Sequence, residues 1–204
     1  LAIVGEPMEM NLAVAEKGLM VLDCVAKGKS GHAARDVGEN AIENAIKDIH
    51  WFHTFKFPQE SDFLGPVKMT VTMIESGLQH NIIPGICKFV VDVRTTDVYS
   101  NQEALEIIKK NVSCQVTPRS LRLNSSRLET QHPLVIAARS LGLKTVGSPT
   151  ISDQAVIPYP SVKIGPGKSE RSHTADEFIY LAEIEEGIEI YINLLGNLRL
   201  KETG

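Results

Sequence analysis

The chain has 204 residues, of which 43% are hydrophobic and 23% are charged, and this ordinary globular composition allows one large or two small domains. Its formal net charge of -4 and its isoelectric point of about 5.9 argue against a nucleic-acid-binding protein. No apolar run approaches the ~20 residues that cross a bilayer, so we expect neither a nucleic acid nor a membrane as a partner.

The cysteine pattern bears on the cellular compartment. Cys24, Cys87 and Cys114 are widely spaced and form no Cys-x-x-Cys pair. An odd number at such spacing indicates neither a disulfide framework nor a thiolate zinc site. With no visible secretory signal, the sequence fits a reducing, cytoplasmic setting.

The chain opens on an apolar, β-branched run, Leu1–Val4, which predicts a buried strand that is already under way. Because no polar lead-in precedes this run, we expect the sequence to be part of a longer protein. Glu6 follows the strand between Gly5 and Pro7, two residues that restrict the backbone. Glu6 is either a site residue at the strand end or a solvated turn residue.

The middle of the chain, from residue 11 to about 123, alternates strand and helix patterns. The predicted strands are Leu12–Ala15, Leu19–Ala26, Val67–Ser76, Cys87–Arg94 and Ser113–Leu123, and the predicted helices are Asn40–Phe55 and Ser100–Lys110. The first two strands read as a hairpin turned at residues 16–18, and Ser100 with Glu103 has the spacing of a capping box. Without the first strand, the order is close to the split β-α-β-β-α-β unit, a sheet with helices on one face.

His32 lies in a glycine-rich loop, Lys27–Arg35. The loop lacks the GxxxxGK[ST] order of a phosphate-binding loop, which excludes a nucleotide site of that type. His32 is therefore either a ligand contact or an exposed loop residue.

The last part of the chain alternates helix and strand patterns again. After a polar linker at Asn124–Glu129, the predicted elements are a helix at Pro133–Leu141, a strand at Lys144–Val146, a strand at Pro160–Gly165 and a helix at Ile179–Leu198. Together with the first ten residues, this part predicts one α/β domain into which the middle portion is inserted.

The loop from Gly165 to Phe178 contains two glycines and one histidine, His173. A strand end, a glycine loop and a helix N-terminus are where open α/β sheets bind ligands. Thr174 and Glu177 have the spacing of a capping box, which predicts that His173 stands directly before a helix. An ordinary connection with an incidental histidine remains the alternative.

Glu6 and His173 are candidate metal ligands, since zinc binds imidazole nitrogen and carboxylate oxygen when thiolates are absent. Both are predicted at strand or loop ends of one domain, so they could converge. A catalytic zinc usually takes three protein ligands, and Asp153 and Asp176 are possible additions. Asp176 is equally explained by the dipole of a following helix, so the residues alone predict half a metal site.

Seven short segments together resemble the M20 family of zinc aminoacylases and peptidases, in particular its acetylornithine deacetylases and succinyl-diaminopimelate desuccinylases. Each segment is weak alone, but their order and spacing are specific and span nearly the whole chain. They are Gly5-Glu6-Pro7, Gly31-His32-Ala-Ala, Gly77-x-x-x-Asn81-x-Ile-Pro84, Asp92-Val-Arg94, Ser152-Asp153, Gly165-Pro-Gly167 and His173-Thr-Ala-Asp-Glu177.

The resemblance implies a zinc-aminopeptidase-like α/β catalytic domain with two zinc or cobalt ions, interrupted by a ferredoxin-like α+β lid that forms a homodimer. Residues 1–10 and 124–204 would belong to the catalytic domain and residues 11–123 to the lid. The implied reaction is hydrolysis of the amide bond of a small N-acyl amino acid, with N-acetylornithine in arginine biosynthesis as the first expectation.

By the same resemblance, Glu6 and His173 would each bind one metal ion. Gly165 and Gly167 would bring backbone N–H groups close to the substrate.

In the lid, the resemblance makes His32 the catalytic residue that reaches the partner subunit's active site. His32 and Asn81 would hold the oxygen of the scissile amide or the substrate carboxylate there. Arg94 would clamp a substrate carboxylate, which suits its bidentate fork.

The sequence departs from the family in one respect. Family members carry an upstream segment with a His-x-Asp motif and a paired Glu-Glu, which supply the remaining ligands and the general base. Neither motif precedes Glu6, so we expect a C-terminal portion of the enzyme that is inactive by itself.

Two alternatives stay open. The substrate could be an N-succinyl amino acid or a dipeptide, since acyl-chain specificity resides in pocket shape. In a different class, the middle domain alone could be a ferredoxin-like dimerisation or small-molecule-binding module. Such a module has no use for Glu6 and His173.

Overall fold

The computed structural model describes residues 1–35, 37–196 and 198, and these form two compact units. The inserted unit comprises Gly18–Ser61 and Gly65–Asn124. The outer unit comprises Leu1–Lys17, Asp62–Leu64 and Ser125–Gly204, the last as far as it is described. This division falls after Lys17 and after Asn124, and the predicted domain bounds of 1–10, 11–123 and 124–204 remain a prediction.

The elements are numbered in chain order. The strands are β1 (Ala2–Val4), β2 (Leu12–Glu16), β3 (Met20–Lys27), β4 (Gly31–His32), β5 (Lys68–Ser76), β6 (Ile82–Ile83), β7 (Ile86–Arg94), β8 (Gln115–Pro118), β9 (Ser126–Arg127), β10 (Thr145–Ser148) and β11 (Ser161–Lys163). The helices are α1 (Ala41–Thr54), α2 (Asn101–Asn111), α3 (Pro133–Ser140) and α4 (Leu181–Gly196). Among the described residues, none of the helices combines the length and the apolar character that a membrane span requires.

The inserted unit is built on a four-stranded antiparallel sheet in the order β5-β7-β3-β8. Alternate residues of these strands, such as Leu22, Phe89 and Val91, face a single core that also contains the buried residues of α1 and α2. Both helices therefore pack on one face of the sheet. This is the split β-α-β-β-α-β arrangement, and the predicted ferredoxin-like fold is confirmed.

Local signals explain where the two helices of this unit begin. Asn40 accepts a hydrogen bond from the Ile42 backbone N–H at 3.0 Å, which caps α1. Ser100 and Glu103 form both hydrogen bonds of the predicted capping box at α2. The Ser100 hydrogen bonds lower the pKa of Glu103.

The outer unit is built on a mixed sheet in the order β1-β11-β2-β10, with β9 paired to β2. β1 runs parallel to β11 and β10 parallel to β2, whereas β11 and β9 run antiparallel to β2. The apolar core between this sheet and its helices includes Leu12, Val162, Leu134 and Leu194.

The predicted hairpin of the first two strands is wrong, because β2 and β3 belong to different sheets. All five residues of β2 are buried, whereas β3 alternates between buried and partly exposed residues. A strand buried on both faces belongs in a sheet that is covered on both sides, and an alternating strand in a sheet covered on one. This difference separates the two strands.

Three further features differ from the sequence-based expectations. The expected linker at Asn124–Glu129 contains β9 and the core residue Leu128. The expected buried strand at the start of the chain is half-buried at the sheet edge. α4 begins at Leu181 and not at the predicted capping box around Thr174.

Candidate functional site

The segment after β1 and the glycine loop after β11 lie directly against each other. The backbone N–H groups of Met8 and Met10 both donate to the Gly165 carbonyl oxygen, at 3.1 and 2.9 Å. A Cβ atom at Gly165 would lie 2.5 Å from the Glu6 carbonyl oxygen, so this approach requires glycine. The two segments that carry Glu6 and Gly165 are therefore brought together.

Gly167 extends this contact and borders a pocket. Its carbonyl oxygen accepts from the Glu9 N–H at 2.8 Å, and its φ of +83° is a left-handed conformation that favours glycine. The pocket has a volume of about 370 Å³. Its lining includes Pro7, Pro166, Gly167, Lys168, Arg171 and Glu177.

His173 is exposed and has a φ of +61°. Left-handed backbone is uncommon at a non-glycine residue, and residues in this conformation cluster at functional sites. Its N–H donates to Glu177 at 3.2 Å, and Thr174 Oγ1 donates to the Arg171 carbonyl oxygen at 2.8 Å. The predicted capping box at Thr174 is therefore wrong, because its hydroxyl bonds backward along the loop.

Arg171 accounts for the late start of α4. Its guanidinium lies 4.8 Å from the Phe178 ring centroid and 5.0 Å from that of Tyr180. It also bonds Glu183 at 2.7 Å, which raises the pKa of Arg171 and lowers that of Glu183. Glu183 accepts from the Tyr180 N–H at 2.9 Å as well, so Glu183 caps α4.

A buried ion pair in the outer sheet escaped the sequence reasoning. Lys163 Nζ lies 2.8 Å from Glu16 Oε2, and both side chains are at most 2% exposed. The Ser152 N–H and hydroxyl donate to the same carboxylate at 2.9 and 2.7 Å, which anchors the Ser152-Asp153 segment. The available signal was a lysine in the middle of a buried-strand pattern, because a buried charge needs a partner.

The described residues supply only part of the predicted metal centre. The described residues contain no group of three or more His, Cys, Asp or Glu side chains that could hold a metal ion. A catalytic zinc takes three protein ligands, so the described residues do not fit a complete metal centre. Asp153 and Asp176 are both exposed and do not complete one. The roles of Glu6 and His173 as ligands remain predictions.

His32 and Asn81 are brought together within the inserted unit. β4, which contains His32, pairs with β6 in the register Gly31 to Ile83 and His32 to Ile82. The Ala33 N–H donates to the Asn81 carbonyl oxygen at 3.0 Å. Two segments that are far apart in the sequence therefore form one small two-stranded antiparallel sheet.

Arg94 lies elsewhere in the inserted unit. It is the last residue of β7, whereas the β4–β6 strand pair lies near Ile86, the first residue of β7. At about 3.4 Å per residue, β7 separates the two on the order of 25 Å. Asp92 occupies two of the guanidinium nitrogens of Arg94, at 2.7 and 3.1 Å.

Comparison with known proteins identifies the class of the inserted unit. A family model described as the M20 peptidase dimerisation domain matches residues 14–115, which is half of the chain. The chain belongs to the M20 peptidase family, so the resemblance inferred from the seven segments is confirmed.

Two curated relatives match most of the chain. Acetylornithine deacetylase from Proteus mirabilis is 27% identical over 220 residues, which cover 98% of this chain and 57% of the relative. Succinyl-diaminopimelate desuccinylase from Orientia tsutsugamushi is 25% identical over 185 residues, which cover 87% of this chain and 44% of the relative. The chain therefore spans about half the length of these relatives.

Solved structures show the same fold. Aminopeptidase PepT from Bacillus cereus superposes with a TM-score of 0.74 at 18% identity, covering 96% of this chain and 56% of that structure. A Bacillus subtilis protein described as a dinuclear metal binding peptidase from the M20 family has a TM-score of 0.61 at 18% identity, with 94% and 55% covered. The predicted fold class is confirmed.

Proposed function

We propose that this chain forms part of a metal-dependent hydrolase that cleaves the amide bond of an N-acyl amino acid. The observation that carries the proposal is the direct contact between the Glu6 segment and the Gly165–Gly167 loop. This contact brings one candidate metal ligand beside the loop that leads to the other, His173. Membership of the M20 family supports the same chemistry.

The first candidate substrate is N-acetylornithine, supported by the name of the Proteus mirabilis relative. An N-succinyl amino acid is the second, supported by the name of the Orientia tsutsugamushi relative. A peptide is the third, because a relative from Aspergillus flavus, 26% identical over 212 residues, is named a probable carboxypeptidase. All three share an amide bond next to an amino-acid carboxylate.

In the outer unit, Glu6 and His173 would contribute to a centre of two zinc or cobalt ions, which further residues must complete. Gly165 and Gly167 would offer backbone N–H groups to the substrate. Among the described residues, neither glycine N–H donates to a protein acceptor, which supports this role.

In the inserted unit, His32 and Asn81 would bind the substrate at one active site and Arg94 at another. The separation of about 25 Å along β7 is too long for one small substrate to contact both groups. We therefore propose that two copies of the chain complete each active site, with His32 and Asn81 donated to the partner. The match to a dimerisation domain supports a homodimer.

We assign the enzyme to a reducing compartment such as the cytoplasm. Cys24, Cys87 and Cys114 are buried free thiols, and reducing conditions preserve free thiols. The expected absence of a membrane or nucleic-acid partner remains part of this proposal.

The decisive experiment measures metal content by elemental analysis together with hydrolysis of N-acetylornithine, N-succinyl-diaminopimelate and a dipeptide. This chain of 204 residues should hold fewer than two metal ions and show no turnover. A protein of family length that carries the same residues should hold two and hydrolyse one of the substrates. Loss of metal in Glu6→Gln and His173→Ala variants supports the ligand roles, and full metal content in both variants contradicts them.

A second experiment tests His32 in that longer protein. His32→Ala should lower kcat by about 100-fold, the typical cost of losing one donor to a developing oxyanion. His53→Ala, an exposed histidine of α1, is the control and should leave kcat unchanged. A kcat loss below about 10-fold for His32→Ala would contradict the assigned role.

A further inference from the structure

The backbone around His32 has little conformational freedom. A Cβ atom at Gly31 would lie 2.3 Å from the Val37 carbonyl oxygen, so the chain passes here only as glycine. Gly38, on the facing segment, has a φ of +114°. The pairing of β4 with β6 adds a second constraint from the other side.

Three successive backbone N–H groups after His32 each have a different acceptor. Ala33 donates to the Asn81 carbonyl oxygen at 3.0 Å, and Arg35 donates to the His32 carbonyl oxygen at 3.0 Å. Between them, Ala34 donates to Nδ1 of the His32 ring at 3.2 Å. The imidazole is therefore bound to the turn that carries it.

We propose that the Ala34 backbone N–H is the positioning group for His32, and that it holds the neutral imidazole with its proton on Nε2. A backbone N–H is only a donor, so Nδ1 must offer its lone pair. A neutral imidazole carries one N–H, which is then on Nε2. His32 thus presents a hydrogen-bond donor to whatever approaches it.

This inference rests on the proposed function for its catalytic meaning. An amide oxygen is an acceptor, and charge that develops on it is stabilised by a donor already in position. The other tautomer would present a lone pair to that oxygen and repel it. The Ala34 N–H therefore selects the tautomer that suits amide hydrolysis.

The chain contains an internal reference for this hydrogen bond. His132 also accepts at Nδ1 from the backbone N–H two residues later, Leu134, at 3.2 Å. There the histidine caps α3, so the same local geometry serves helix initiation. His53, which is exposed on α1, lies outside this pattern and serves as the second reference.

The test uses nitrogen NMR on the uniformly ¹⁵N-labelled chain at neutral pH. We expect unprotonated Nδ1 and protonated Nε2 for His32 and for His132, and a scalar coupling across the hydrogen bond from the Ala34 nitrogen to His32 Nδ1. A protonated Nδ1 on His32, or His32 ring signals averaged between the two nitrogens, would overturn the proposal. This measurement needs no activity, so it stands apart from the test of the proposed function.

Variants test the positioning role. Ala34→Pro removes the N–H, and Ala34→Gly keeps it as the matched control. In the longer protein, Ala34→Pro should lower kcat by about 10-fold, less than the loss of the whole donor, with KM nearly unchanged. Unchanged kcat in Ala34→Pro, in a sample whose His32 ring signals have become averaged, would overturn the positioning role. Because proline could disturb the turn, the coupling in the unaltered chain remains the independent test.

Discussion

The two units bury their apolar surface in different ways. In the inserted unit, α1 and α2 contribute to one continuous core around Phe89. In the outer unit, α4 turns residues such as Leu194 inward and leaves a second apolar stripe exposed. That stripe comprises Leu181, Ile184, Ile188, Ile192 and Leu195.

A helix that is apolar on two faces is normally buried on both. Other described residues of the outer unit leave this second face of α4 uncovered. The sheet of the outer unit contains the fully buried Lys163–Glu16 ion pair, and the loop after β11 contains the close approach of Gly165 to Glu6. We expect substitutions at these places to have larger effects than equivalent changes in the inserted unit.

The largest effect is expected for Lys163→Met. It leaves the Glu16 carboxylate buried and without its cation, which should destabilise the outer unit by about 3–5 kcal/mol. Arg119→Met is the matched control, because it breaks the ion pair with Asp23 in the inserted unit, where the side chains are 55% and 46% exposed. Its cost should stay below about 1 kcal/mol.

Urea unfolding followed by circular dichroism measures both variants. The double variant Glu16→Met with Lys163→Met should recover much of the loss, because it removes the unpaired charge. Equal costs for Lys163→Met and Arg119→Met would refute the view that the outer unit depends more heavily on its ion pair.

A smaller effect is expected for Gly165→Ala. The added Cβ would lie 2.5 Å from the Glu6 carbonyl oxygen, and such overpacking costs about 1–3 kcal/mol. Gly5→Ala adds the same atom where nothing lies within 4 Å, so it should be close to neutral. Thermal unfolding compares the two variants, and an equal melting temperature would show that the approach of the two segments is not tight.

The two capped helices provide a pH comparison. The ordinary pKa of a glutamate is 4.5, and the pKa values of Glu103 and Glu183 are both lowered, the first by Ser100 and the second chiefly by Arg171. A lowered pKa in the folded state contributes stability above pH 4.5, and this stability is lost as the pH falls through the folded value.

Carbon NMR titration of the two carboxyl groups measures this directly. Added salt should raise the pKa of Glu183 toward 4.5, because its partner is a cation, and should change that of Glu103 less. Identical salt responses would contradict the assignment of Arg171 as the main cause.

The smallest effect on stability is expected for Ile188→Glu with Ile192→Glu. These side chains are 54% and 66% exposed, so the free energy of unfolding should change by less than about 0.5 kcal/mol. Binding of the apolar dye ANS should fall clearly. A large destabilisation would mean that this stripe is buried in solution.

The inserted unit was largely predictable because its signals are local. Alternation defined β5 and β7, and the capping box at Ser100 marked the start of α2 within one residue. The pairing of β2 was not predictable, since its partners β10 and β11 lie far along the chain. Periodicity describes one strand at a time and says little about which strand lies beside it.

The candidate site was predictable only in part. The sequence marked Gly165, and the structure explains it by the close approach of the Glu6 backbone. The start of α4 was misplaced because a side chain, Arg171, bonds Glu183 and stacks on Phe178. Such contacts between side chains override a local capping signal, and no spacing rule reports them.

The ends of the inserted unit meet. The Leu19 N–H donates to the Leu123 carbonyl oxygen at 2.9 Å, and the Asn101 side chain bonds both of these residues. A domain whose two ends lie next to each other can be inserted into a host fold at a single surface turn. Yet Asp62–Leu64, in the middle of this stretch, belongs to the outer unit, and the Phe63 carbonyl oxygen lies where a Cβ of Gly147 would be. Deletion of residues 18–124 would therefore also remove three residues of the outer unit, so the inserted unit cannot be excised without cost to its host.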